Sequence, residues 1–406
     1  MTRKYFHLLP VAAALAALCA TNANALEFHG YLRTGAGSSS AKGGQSCFQL
    51  PGAYAKYRLG NECETYGELQ FDQNVYDGKD GVKFDYHAMF AFVAPYAGQQ
   101  DFESLKAANR DFALRQNWIE AKNLPFLNGG TAWLGNRYYQ RQDVHINDFF
   151  YWNNSGYGVG VESVPIGPGK FSYALFRNTS ENNSVAATRH DFRYGGLALG
   201  QGMGDLTLGL QYNSADSSTA GQKNNGTAIS VQHFLGDFLG GFNKFTVQYG
   251  NGSANSLSLG YPDNSAGSSK KTWRIVEQIQ VQLSPELSGM ATFVYQDAKD
   301  NYKWTSFGVR PVYHFSDYFK LQAEWGHDEV KPVGAPTRKL DKFTIAPTLV
   351  AGRGFWARPE LRLYATHAKW NKEARDQWGG VAGGTAGPFG SGTSGTSYGF
   401  QAEVWF

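Results

Sequence analysis

Tyr398-Gly399-Phe400-Gln401-Ala402-Glu403-Val404-Trp405-Phe406 closes the chain. Tyr398, Phe400, Ala402, Val404 and Phe406 share one parity, and Gly399, Gln401, Glu403 and Trp405 the other. Side chains alternate across a strand, so the stretch predicts a strand with one apolar and one polar face. A soluble sandwich also alternates, but its apolar face must meet a second sheet. A last strand ending on an aromatic suits a sheet closed on itself, because pairing first and last strands removes both edges. Trp405 sharpens the point: a tryptophan among Gly, Gln and Glu on the watery face has no core to join.

The same alternation runs back through the chain. Phe28, Gly30 and Leu32 oppose His29, Tyr31 and Arg33, and Thr65, Gly67, Leu69 and Phe71 oppose Glu64, Tyr66, Glu68 and Gln70. Lys56 and Arg58 alternate with Tyr57 and Leu59, which reads as a further strand between the loop Gly35–Gln45 and the turn Asn61–Cys63. Later examples are Phe245–Tyr249, Leu321–Trp325 and Leu361–Thr366. Glu277 breaks the pattern by falling among Ile275, Ile279 and Val281, and a bulge or an interface position would explain it. Gly/Ser/Asn-rich stretches (Asn178–Ala187, Asn213–Thr227, Asn251–Ser269, Gly379–Thr396) read as long exposed loops, and Ser284-Pro285-Glu286 as a short turn at the opposite end. Gln99–Arg110 lacks alternation and reads as a projecting loop, with a strand resuming near Phe112 and running to about Lys122.

Composition narrows the class. Phe, Trp and Tyr make up 15% of the chain, Gly stands at 49 residues and charge at 17%, with a mean hydropathy of −0.42. Polar average hydropathy with abundant aromatics and glycine predicts an all-β, transmembrane antiparallel β-barrel. A net charge of +3 is too small and too mixed for a nucleic-acid partner. Arg3 and Lys4, the apolar Leu8–Ala20 and Ala23-Asn24-Ala25 read as a signal peptide over 1–25, leaving a single barrel domain over 26–406. Cys19 leaves with the signal. Cys47 and Cys63 remain, close in sequence in an exported chain, and read as one loop-stapling disulfide. No metal-ligand spacing appears, and no cofactor is expected.

The stretch Arg137–Trp152, RYYQRQDVHINDFFYW, packs charges and rings together. Such a mixture suits a wet wall that grips a ligand both polyhydroxylated and flat-faced, as sugars are. The plainer reading is an amphipathic strand and a folded loop held by its own ion pairs. His145 beside Asp143 and Asp148 has the makings of acid–base chemistry, but no nucleophile motif such as G-x-S-x-G accompanies it.

At these residues the chain resembles the maltoporin family of sugar-specific porins. The resemblance rests on Phe28-His29-Gly30-Tyr31, on Lys56–Tyr66 (KYRLGNECETY), on the blocks Tyr139–Arg141, Asp143–His145 and Asp148-Phe149, and on Gly241–Phe245, Trp356–Pro359 and Glu403–Trp405. It implies an 18-stranded barrel in the bacterial outer membrane, a homotrimer, and facilitated diffusion of maltose, maltodextrins or related oligosaccharides, with no enzymatic step. A periplasmic sugar-binding protein beneath the pore is a further candidate partner. The resemblance also implies an inward-folded constriction loop within Tyr138–Gly156 and a latch onto a neighbouring subunit, which Gln99–Arg110 matches.

Site residues come from the same resemblance. Tyr31, Tyr66, Phe242, Trp356 and Trp405 match an aromatic slide, and Phe102 stands where the latch loop carries a tryptophan. The polar tracks would be Arg33, Arg58, Glu68, Arg115, Arg141, Asp143, His145 and Asp148. Cys47 and Cys63 match the family's loop disulfide. Phe150 departs from the pattern, because it replaces a tyrosine at the narrowest point and removes a hydroxyl there. That change opens sucrose or β-glucosides beside maltodextrins as the preferred solute. A general-diffusion porin would share the barrel but lack the slide.

Overall fold

The computed structural model describes residues 25–95, 111–178, 187–215, 224–257, 262–263 and 266–406. The expected signal peptide, apart from Ala25, and the expected latch with Phe102 lie outside the described residues. Among the described residues, eighteen strands form one antiparallel sheet, from Glu27–Ser39 to Ser394–Trp405. Each strand pairs with its neighbours in sequence, and the first pairs with the last, with Tyr31 opposite Trp405 and Arg33 opposite Glu403. The sheet is therefore a closed barrel with no free edge, the form in which a sheet satisfies its backbone inside a bilayer. No described helix is long and apolar enough to cross a membrane.

The polarity of the wall is inverted relative to a soluble protein. Along Glu360–Trp370, Leu361 and Leu363 are 57% and 63% exposed on the outside, while Glu360 and Arg362 are buried on the inside. Phe245, Val247 and Tyr249 likewise face out, with Thr246 and Gln248 inside. Such an outer belt needs lipid to cover it. Glu277 sits on this belt without any break in register on either side, so a bulge does not account for it. Its carboxylate accepts a hydrogen bond from Asn243.

Connections differ by end. One end carries short turns such as 239–240, where positive φ at both Leu239 and Gly240 gives the primed geometry that matches strand twist. The other end carries the long segments 40–63, 138–155 and 371–393. The first strand runs on to Ser39, past the point where glycines predict a loop, because Ala36–Ser39 pair with Ser397–Phe400.

The residues Lys56–Leu59 are not a barrel strand. They belong to segment 40–63, which folds into the lumen, and Tyr57 and Leu59 are buried there against the wall. Their alternation is real, but it separates the wall from the pore and not lipid from water. The disulfide Cys47–Cys63 is formed and closes this segment.

Segment 138–155 also turns inward, as a small hairpin of Gln142–Val144 with Phe149–Trp152 around the one-turn helix His145–Asn147. Val144, Ile146, Phe149, Tyr151 and Trp152 join Phe48, Leu50 and Tyr57 in the largest apolar cluster, inside the barrel. The wall holds the hairpin by polar bonds: Tyr151 donates to Gln232 (2.7 Å), Arg274 to the Tyr151 carbonyl (3.2 Å) and Gln278 to the Asp143 carbonyl (3.0 Å). An eighteen-stranded wall encloses a wide lumen, and these two segments narrow it.

Candidate functional site: a constricted lumen

Beside the hairpin lies a cavity of about 490 Å³. Tyr31, Arg33, Tyr66, Glu68 and Trp405 reach it from the wall, Arg58 from segment 40–63, and Arg141, His145, Asp148 and Phe150 from the constriction hairpin. Arg115 reaches it through a bulge opposite Met89 and Phe90, which sets it out of register with its strand. Most of the sequence-predicted site is thus one place.

Four aromatics form a row along one side. Tyr66 and Tyr31 lie on neighbouring strands with ring centroids 6.1 Å apart, and Tyr31 is paired across the next strand boundary with Trp405. Trp405 lies 6.5 Å from Trp356, which sits on the connection 351–359 and outside the cavity lining, with the His145 ring 5.0 Å away. Phe242 is elsewhere. It stands near the short-turn end of its own strand beside Phe234, with the Lys244 ammonium 5.6 Å from its ring centre. Asp143 also stays off the cavity lining, and burial, against the pull of Lys244 and Arg141, pushes its carboxyl above the usual range.

Two arginines in the cavity are held by carboxylates. Arg33 pairs with Glu62 (2.8 Å) and Glu64. Arg58 pairs with Glu62 (3.0 Å) and Glu403 (3.1 Å) and donates to the Tyr31 hydroxyl (2.6 Å). Burial works against ionising Glu62, but Lys56, Arg58 and Arg33 outweigh it and hold its carboxyl below the usual range. Glu403 also takes Arg358 and Arg362, and the Arg358 guanidinium lies 4.0 Å over the Trp405 ring. Parity puts Glu403 on the polar face, but it does not name partners, so the hub Glu62–Arg58–Glu403–Arg358 is not legible from it.

Arg141 is held differently. Its guanidinium lies 3.4 Å over the Tyr138 ring and 4.6 Å from that of Phe150, and it makes no ion pair among the described residues. Tyr138, which the sequence did not mark as a contact, also donates to Glu68 (3.3 Å), as Tyr66 does (2.6 Å). The Phe150 ring thus offers a face to Arg141 and no hydroxyl to the pore. Burial and the nearby Arg58 charge push His145 well below the ordinary imidazole range, so it stays neutral near pH 7. The remaining rings of the stretch, Tyr139, Phe149, Tyr151 and Trp152, are buried at 0–2% exposure and serve to anchor the hairpin.

The fold has relatives among solved structures. Pseudomonas aeruginosa OccK9 (OpdG) is 11% identical, covering 94% of this chain and 98% of its own at a TM-score of 0.53. OpdQ of the same organism is 7% identical, with 95% and 99% covered and a TM-score of 0.50. Pseudomonas aeruginosa OpdK, solved with vanillate, is 10% identical, with 93% and 98% covered and a TM-score of 0.50. At such identities the likeness is one of fold. A family model described as LamB porin matches residues 26–406. With the closed barrel, the in-folded hairpin and the lined lumen, that match makes the chain a member of the LamB porin family, an outer-membrane β-barrel.

Proposed function

We propose that this porin is selective for neutral oligosaccharides, maltose and maltodextrins first, and lets them diffuse down their gradient without chemical change. The observation that carries the reading is the aromatic row Tyr66–Tyr31–Trp405–Trp356 running alongside the charged groups of the cavity. A sugar ring presents apolar C–H faces to such rings and hydroxyls to such charges. Each ring contact contributes about 0.5–1.5 kcal/mol by analogy with aromatic pairs, so a few together give weak binding. Weak, repeated binding is what conduction needs, since the solute must leave as readily as it enters.

Family membership supports a homotrimer with its short-turn end in the periplasm. Phe150 at the constriction favours solutes that stack there over those that need a hydroxyl partner. The test is saturable block of the ion current by a sugar series. A general-diffusion pore would pass the same current with or without sugar.

A further inference from the structure

The lumen face of the strands Tyr302–His314 and Phe319–Pro332 is bulky nearly throughout, with Trp304, Arg310, Glu324 and Asp328 on it. Gly308 and Gly326 interrupt that face, and the register places them directly opposite each other. Neither needs glycine for its backbone angle. They need it for space: a Cβ on either would lie 1.9 Å from the ring of Tyr57. The ring, 2% exposed, fills the dent, and its hydroxyl shares a 2.9 Å hydrogen bond with Ser306.

The backbone on both sides of Tyr57 is tied to the pore. The Lys56 and Arg58 amides donate to the carbonyls of Asn147 and Ile146, both at 3.0 Å. Those carbonyls belong to the turn that carries His145 and Asp148 into the cavity, and Arg58 itself lines the same cavity. We propose that Tyr57, seated on the Gly308–Gly326 pair, is a positioning residue that sets the calibre of the constriction. A ring pressed into the wall draws segment 40–63 outward, and the two backbone bonds draw the tip of the hairpin with it. A side chain grown from the wall pushes ring, segment and tip toward the pore axis. The constriction hairpin has a seat of its own, since Trp152 lies where a Cβ on Gly209 would come within 2.3 Å of its ring.

The inference rests on the channel reading alone, so its test uses salt without sugar. The full barrel is reconstituted in planar bilayers, with folding checked by heat-dependent gel mobility. Gly326→Ala is expected to lower single-channel conductance about twofold, because overpacking must be relieved by moving the ring. Tyr57→Phe keeps the seated ring and is expected to conduct as wild type, whereas Tyr57→Ala is expected to change the conductance. In the Tyr57→Ala background, adding Gly326→Ala is expected to do nothing further, the non-additivity of two groups that act through one contact. The proposal is overturned if Gly326→Ala lowers conductance equally with and without the ring. Equal conductance in wild type, Tyr57→Phe and Tyr57→Ala would overturn it as well, and that arm stands even where Gly326→Ala does not fold.

Discussion

Arg58 and Arg141 face the same cavity and are held by opposite means. Arg58 is surrounded by Glu62, Glu403 and the Tyr31 hydroxyl, while Arg141 rests on the rings of Tyr138 and Phe150. A guanidinium has five donors. Glu62 and Glu403 take Nε and one Nη of Arg58 and turn it into a strut between segment 40–63 and the last strand. Rings hold Arg141 through its flat face at the cavity lining, and no carboxylate among the described residues takes its donors. The contrast teaches that an arginine in a lumen contributes to the wall or to the solute according to what neutralises it, which sequence parity does not report.

The contrast breaks most visibly at Glu403, which pairs with Arg58, Arg358 and Arg362. Glu403→Gln leaves buried guanidinium groups without their shared counter-charge, and removing one partner of a buried pair costs about 3–5 kcal/mol. Denaturant unfolding of the folded barrel should show that loss, and an unchanged midpoint would mean the hub is not structural. Arg141→Ala is the counterpart. It should leave stability within about 0.5 kcal/mol of wild type, as substitutions away from buried networks do. Sugar block should weaken by about 1.5–3 kcal/mol, the worth of a hydrogen bond to a charged group. Loss of stability without loss of block would reverse the assignment.

The smallest effect concerns His145, which lines the same cavity and is kept neutral by burial and by Arg58. Above the ordinary imidazole pKa of about 6.5, folded and unfolded chains are both neutral and the group adds nothing. As pH falls below that value the unfolded chain takes up a proton that the folded hairpin refuses, so stability declines, by at most about 1.36 kcal/mol per pH unit. His145→Gln should flatten that part of the acid dependence, read as unfolding midpoints at about pH 7.5 and 5.5. A steeper dependence in the variant would contradict the neutral imidazole.

Much of this was legible in the residues. Alternation in Tyr398–Phe406 predicted the closing strand, and its pairing with Glu27–Ser39 places Tyr31, Arg33 and Trp405 on the inside as parity required. Strand number and the inward hairpin came from likeness to a family, since periodicity marks a face but not how many strands share it. Lys56–Leu59 misled for a physical reason: a segment pressed between wall and pore alternates just as a strand between lipid and water does. Arg115 entered the cavity only through a bulge. The in-folded rings were ambiguous because a buried anchor such as Trp152 and a pore contact such as Phe150 have the same composition.

Sugar selectivity is tested most directly by the single-channel current of the purified porin in a planar bilayer during titration with maltooligosaccharides, sucrose and cellobiose in turn. Saturable block by one series is expected, weakened about two- to thirteenfold by Trp405→Ala, the loss of one ring contact. A current that no sugar alters, in wild type and variant alike, would contradict it and leave a general pore with an aromatic lining.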